Sequence, residues 1–288
     1  MYPASERLIC AAPAKLNLFL LVTGRRADGY HTLQTLFRFI DRADEITFAL
    51  RTDGRVLRTF EIDGVTESDD LTLRAARLLQ AETGCRLGVE ISVRKDVPVG
   101  GGLGGGSSDA ATTLLALNRL WGLRLSRPRL QHLALNLGAD VPVFVFGRNA
   151  LAQGIGEQLE AIDLPSAWYV VLVPPVAVST AAVFADPELT RSTAPVTIRA
   201  FSEGCVPSGL FGHNDLEATV CRRYPEVAQH LRWLRQFGPA ALTGSGACTY
   251  CPFESETSAR LVLAQLPAGM QGFVARGLTH HPLLDWSD

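Results

Sequence analysis

The stretch Val97-Pro98-Val99-Gly100-Gly101-Gly102-Leu103-Gly104-Gly105-Gly106-Ser107-Ser108-Asp109 narrows the folds open to this chain more than any other. Residues without Cβ reach positive φ and let backbone N–H groups close on a ligand. Before the loop, Leu87 to Val93 alternates apolar and other residues, the mark of a half-buried strand. After it, Ser107 or Ser108 can cap a helix carrying Ala110, Ala111, Leu114, Leu115 and Leu117, with Gly122 as its stop. Such a helix aims unpaired N–H groups and the positive end of its dipole at the loop, so the stretch reads as a phosphate cradle.

Other glycine-rich loops fit less well. A Walker A loop closes on Gly-Lys, a pair this chain lacks. Gly100, Gly102 and Gly105 satisfy G-x-G-x-x-G, but a dinucleotide fold wants an acid about 20 residues further on. The region from Leu120 to Arg127 has none. A flexible linker is seldom apolar on both flanks and followed by a capped helix.

The pattern from Pro98 through Gly104-Gly105-Gly106-Ser107-Ser108 to Ala110-Ala111 resembles the second motif of the GHMP kinases. The triple glycines on both sides of Leu103 are most similar to the branch of that superfamily acting on 4-diphosphocytidyl-2-C-methyl-D-erythritol. Two more motifs agree. Pro13-Ala14-Lys15-Leu16-Asn17-Leu18 resembles the first, followed by Gly29-Tyr30-His31, and Leu242-Thr243-Gly244-Ser245-Gly246-Ala247 resembles the third.

The residues themselves say the following. Ala11 to Leu20 reads as a strand whose period of two puts Lys15 and Asn17 on one face. Lys15 and Lys95 are the only lysines among 27 basic residues, and an ammonium on a flexible stem is not interchangeable with a guanidinium. Tyr30 and His31 follow a polar turn, where a ring is available for stacking and an imidazole for a polar edge. Asp140 stands at a helix-to-strand junction, before the apolar run Val141 to Phe144, where it is either a turn residue or a chemical one.

The resemblance assigns roles. It implies that Lys15 contacts the reacting hydroxyl, Asn17 the substrate and Asp140 the proton, as the base beside Lys15. Tyr30, His31, Thr180 and Phe184 are implied for the substrate, Tyr30 and Phe184 as the two rings against cytosine. Lys95, Pro98, Gly100, Gly101, Gly102, Leu103, Gly104, Gly105, Gly106, Ser107, Ser108 and Ser245 are implied for ATP. Mg²⁺ is expected with ATP, held chiefly by phosphates and water, with Ser108 a possible ligand. Asp109 either faces the metal or caps the helix. Neighbouring readings are a homoserine- or mevalonate-type kinase, which needs no paired rings, and a nucleotide-binding protein without catalysis, which needs neither Lys15 nor Asp140.

The fold implied is α+β, with an ATP-binding domain over 1–160 and a ferredoxin-like substrate domain over 161–288, the active site between them. At 288 residues and 47% hydrophobic content the chain can bury a core of that size. A formal charge of −2 offers no broad basic field for nucleic acid or an acidic membrane. The expected partner is a small molecule, with no nucleic acid, no membrane and no obligate protein partner.

Three apolar runs from Gln34 to Ile62 read as an antiparallel meander, followed by a helix capped by Asp69 or Asp70 and ending at Gly84. The cysteines, at 10, 85, 205, 221, 248 and 251, form no disulfide framework, and Leu16 to Val22 is too short to cross a bilayer. The expectation is a reduced, cytoplasmic protein in which Cys248 and Cys251 are buried thiols on a strand.

Overall fold

The computed structural model describes residues 7–26, 31–59, 65–196 and 211–286. Strands β1 (Arg7–Arg25) and β2 (His31–Arg51) pair antiparallel along most of their length. The expected meander is corrected here: its first two runs, Leu36–Ile40 and Ile46–Leu50, belong to one continuous strand. Asp41-Arg42-Ala43-Asp44 resembles a turn, but β1 holds that segment on one edge, and β4 (Gly88–Arg94) pairs from Glu45 onward on the other. The third run, β3 (Val56–Arg58), lies parallel to β4 and reaches it through helix α1 (Leu71–Thr83). Asp70 caps α1 by accepting from the amides of Thr72 and Leu73, and Gly84 ends it in a left-handed turn.

Helices α2 (Gly105–Leu120), α3 (Arg127–Ala134) and α4 (Val141–Phe146) follow, then β5 (Ala150–Gly154) and β6 (Gln158–Ala161). The strand expected after Asp140 is therefore a short helix. Its residues Val141 to Val145 are all buried, so the run shows no alternation, and Pro142 in the first turn suits a helix start. The first sheet has the order β3-β4-β2-β5-β6, with β1 also on β2. The helices cover one face of it, where Phe39, Phe48 and Ile91 meet Leu73, Leu114 and Val145.

A second, antiparallel sheet has the order β10-β7-β9-β8, built from β7 (Trp168–Leu172), β8 (Ala241–Leu242), β9 (Thr249–Phe253) and β10 (Gly272–Arg276). Helices α5 (Thr180–Phe184), α6 (Glu217–Arg223), α7 (Pro225–Leu234) and α8 (Glu256–Leu263) accompany it. A middle layer joins the two sheets, with Leu16, Phe19 and Leu36 packed against Val171, Tyr250 and Ala275. The last described segment returns to the first sheet's helices, where the Arg119 guanidinium lies 4.7 Å from the Trp286 ring centre. The α+β class read from the sequence is the class of the fold. Cys248 and Cys251 are both buried and free, and among the described residues no helix is long and apolar enough to cross a membrane.

Candidate active site

The glycine loop does not start its helix as the serines suggest. Gly104, at φ 73°, is the residue before α2, and Ser107 and Ser108 already lie in the first turn without capping it. The Ser108 amide donates to the Gly104 carbonyl at 2.8 Å. Ser108 is therefore removed from the amides available to phosphate, and those of Gly105, Gly106 and Ser107 remain as the unpaired first-turn donors. The Ser108 hydroxyl is buried with no partner among the described residues.

The loop is clamped from both sides. The Lys15 amide donates to the Leu103 carbonyl at 2.9 Å, and the Cys248 amide to the Gly101 carbonyl at 3.0 Å. Gly102, at φ 76°, is where the backbones come closest, since a Cβ there would stand 2.2 Å from the Thr243 carbonyl oxygen. The first and third motifs thus hold the second between them, which glycine alone permits at this position.

Lys15 lies in the wall of this cradle. Its Nζ donates to Asn17 Oδ1 and, at 2.8 Å, to the Gly102 carbonyl, and it stands 3.4 Å from Asp140 Oδ2. Of the three protons of the ammonium, the hydrogen bonds to Asn17 and Gly102 take two. Asn17 shares the strand face with Lys15, as its spacing predicts. Its side-chain amide also donates to Thr35 Oγ1 at 2.9 Å, so the side chain is held between Lys15 and Thr35. Asp140 immediately precedes α4, makes no capping bond and keeps a reachable carboxylate.

Below the loop lies a charge cluster that no spacing in the sequence announces. Lys95 Nζ pairs with Asp44 and, at 2.8 Å, with Asp109. Asp44, turned inward from β2, also accepts the amides of Asp96 and Val97 at 2.6 and 2.8 Å, fixing the segment that leads into the loop. Burial opposes the charge on Lys95, but the Asp109 and Asp44 carboxylates outweigh it and hold the ammonium above its ordinary range. Burial pushes the Asp109 carboxyl up to about 7, Asp44 adding to the effect and Lys95 opposing it.

All of this opens on one cleft of about 550 Å³. Lys15, Asn17, Lys95, Pro98, the residues from Gly100 to Ser107, Asp140, Thr180, Phe184 and Ser245 line it, whereas Ser108 stays behind its wall. Thr180 Oγ1 meets Ser245 Oγ at 2.7 Å, joining α5 to the third motif. His31 stands beside the cleft, its ring stacked on the lining residue Phe184 with centroids 5.0 Å apart. Tyr30 lies outside the described residues. Asn214, just ahead of α6, accepts from the Leu216 amide at 2.9 Å and donates to the Leu242 and Gly244 carbonyls, which steadies the third motif.

The family model for the GHMP kinases N terminal domain matches residues 70–148, and that for the GHMP kinases C terminal matches residues 205–272. A protein of Thiobacillus denitrificans named 4-diphosphocytidyl-2-C-methyl-D-erythritol kinase is 62% identical over 275 residues, covering 96% of this chain and 97% of its own. The chain belongs to the GHMP kinases. A protein of the same name from Nitrosospira multiformis is 58% identical, covering 99% of this chain and 96% of its own. Among solved structures, a 4-(cytidine 5'-diphospho)-2C-methyl-D-erythritol kinase superposes with a TM-score of 0.77 at 34% identity, covering 94% of this chain and 99% of that one. A homoserine kinase from Cytophaga hutchinsonii, at 15% identity and a TM-score of 0.70 over 98% of this chain and 96% of its own, shares the fold. The kinase fold therefore surrounds a cleft in which all three sequence motifs meet.

Proposed function

We propose that this kinase transfers the γ-phosphoryl group of ATP to the 2-hydroxyl of 4-diphosphocytidyl-2-C-methyl-D-erythritol, a step of the non-mevalonate route to isoprenoid precursors. The carrying observation is the Lys15–Asp140 pair at the mouth of a cradle of unpaired helix amides. Two relatives of that name at 62% and 58% identity support the choice of acceptor. On this reading the first sheet and its helices, 1–160, hold ATP, and 161–288 holds the substrate.

Phosphoryl transfer asks a protein mainly for position and charge compensation. The amides of Gly105, Gly106 and Ser107 hold phosphate oxygens without any protein rearrangement. Asp140 accepts the proton of the attacking hydroxyl, and Lys15, immobilised by Asn17 and Gly102, orients that hydroxyl and offsets the charge that develops on it. Lys95, neutralising Asp44 and Asp109, keeps those carboxylates from repelling the triphosphate. Phe184 and His31, stacked 5.0 Å apart, form one wall of the base site, with Thr180 and Ser245 between that wall and the phosphates.

Mg²⁺ accompanies ATP on this reading. On the same reading the phosphates and water supply most of its ligands. Ser108 Oγ and Asp109 Oδ1, buried at the head of α2 with no hydrogen-bond partner among the described residues, are hard oxygens of the kind the ion takes. When bound, the ion would neutralise phosphate charge.

The test is ADP release by the purified protein with ATP, Mg²⁺ and the cytidyl substrate, beside homoserine and mevalonate. Turnover on the cytidyl substrate alone is expected. Turnover on either control instead would keep the kinase and discard the acceptor.

A further inference from the structure

Arg191 belongs to none of the motifs and sits in an irregular stretch after α5, yet its guanidinium makes four hydrogen bonds beside Phe184 and His31. Its Nε donates to His31 Nε2 at 3.1 Å, and one terminal nitrogen donates to the Leu189 carbonyl at 3.0 Å. The other terminal nitrogen donates to the carbonyls of Phe184 and Asp186, at 3.1 and 2.6 Å. One side chain therefore grips both the His31 ring and the backbone of Phe184, on which that ring stacks.

We propose that Arg191 is a positioning residue for base recognition, fixing His31 as the neutral Nδ1–H tautomer so that the imidazole meets a pyrimidine edge as a hydrogen-bond donor. The inference rests on the cytidyl reading of the cleft and deepens it by naming what sets the choice of base.

A guanidinium carries only donors and does not deprotonate in proteins. The ring nitrogen facing Arg191 Nε must then be a lone pair, and a neutral imidazole whose Nε2 accepts carries its proton on Nδ1. The surroundings keep the ring neutral: burial lowers its pKa first, and the cations Arg191 and Arg25, the latter on the paired strand β1, lower it further. Among the described residues no carboxylate pairs with the ring. The acid nearest in this network, Asp186, has its carboxylate taken by Arg222 and Arg223.

A donor fixed in this way discriminates. Cytosine offers acceptors at N3 and O2, whereas uracil presents a donor at N3. An Nδ1–H aimed at N3 completes a bond with the first and opposes the second. A ring free to exchange tautomers would lose that distinction, because its Nδ1 would become an acceptor part of the time. A site built around one donor rejects the analogue that cannot use it far better than an apolar pocket does.

The experiment has two arms, applied to wild type, Arg191→Lys and Arg191→Met. The first is ¹⁵N NMR of the histidine rings in the free protein, with His31 assigned by its loss in His31→Gln. The second is kcat and KM with the cytidyl substrate and its uridyl analogue. Wild type should show a single Nδ1–H tautomer for His31, titrating below the ordinary histidine range. In Arg191→Met the tautomers should mix and the titration move up, while KM for the cytidyl substrate rises about tenfold with kcat within a few-fold, and the preference over uridyl shrinks. Arg191→Lys, which keeps the charge without the rigid fork, should fall between them. An unchanged tautomer and titration in either folded variant, or an unchanged KM and base preference, overturns the proposal. Absence of turnover in wild type on both pyrimidine substrates would instead remove the substrate reading, and the NMR arm would still decide the tautomer.

Discussion

Lys15 Nζ stands 3.4 Å from Asp140 Oδ2, but the lysine side chain is only 3% exposed while the aspartate is 37% exposed. The pair is asymmetric by construction. Its cation is fixed in the wall between the first and second motifs, and its anion remains open to whatever enters the cleft. On the proposed reading, Asp140→Asn keeps the shape and loses the proton acceptor. It should lower kcat by about 10²–10⁴-fold, with ATP affinity by calorimetry changed no more than a few-fold. Lost ATP affinity with intact kcat would contradict the assignment.

Two glycines of the same loop separate local strain from packing. Gly100 and Gly102 have φ of 70° and 76°, but a Cβ on Gly100 meets nothing within 4 Å, whereas one on Gly102 meets the Thr243 carbonyl at 2.2 Å. Gly100→Ala should destabilise by about 1–2 kcal/mol, the left-handed strain alone. Gly102→Ala should reach about 3 kcal/mol or more, because it also forces the second and third motifs apart. Equal midpoints in urea for the two variants would show that the docking of Gly102 against Thr243 carries no weight.

Asp109 gives stability a pH signature. Its native carboxyl, raised by burial from 3.8 to about 7, keeps a proton that the unfolded chain has released over that window. Native stability from this group is present below pH 4 and is lost as pH rises toward 7. Asp109→Asn has no such proton, so its Tm should gain on that of wild type from about pH 4 to about pH 7 and hold the gain above that. A Tm difference between the two proteins that stays constant across that window would mean that Asp109 is not raised.

The thiols should be inert. Burial pushes Cys10, Cys248 and Cys251 up to about 12 and Cys221, helped by Glu217, up to about 11. Since the thiolate is the nucleophile, iodoacetamide at pH 8 should leave all four unmodified in native protein, as read by intact and peptide mass spectrometry, and modify them after unfolding. Rapid native labelling of Cys248 or Cys251 would show that burial does not keep these thiols protonated.

What could be read from the sequence followed from local rules. The strand placing Lys15 beside Asn17, the Asp70 cap, the Gly84 stop and the glycine loop itself all depend on neighbours a few residues apart. Where distant pairing decides, the pattern fails. Asp41 to Asp44 has the composition of a turn, but Ala43 and Asp44 pair with β1 within one continuous strand, and Asp44 is drawn inward by amides more than 50 residues away. Val141 to Phe146 carries strand-forming residues, yet burial on all sides removes the alternation that would tell helix from strand. The Asp44–Lys95–Asp109 cluster and Arg191 left no signal, since each joins residues whose spacing carries no period. The scarcity of lysine, two among 27 basic residues, was the one hint, and it pointed to Lys95 without its partners.

The most direct measurement is ³¹P NMR of the reaction of the purified protein with ATP, Mg²⁺ and 4-diphosphocytidyl-2-C-methyl-D-erythritol. The account predicts a new phosphomonoester resonance growing with ADP, at equal amounts, while the diphosphate linkage of the acceptor stays intact, and neither change in Asp140→Asn over the same time. Release of inorganic phosphate with no new ester, or ester formed equally fast by Asp140→Asn, would contradict it.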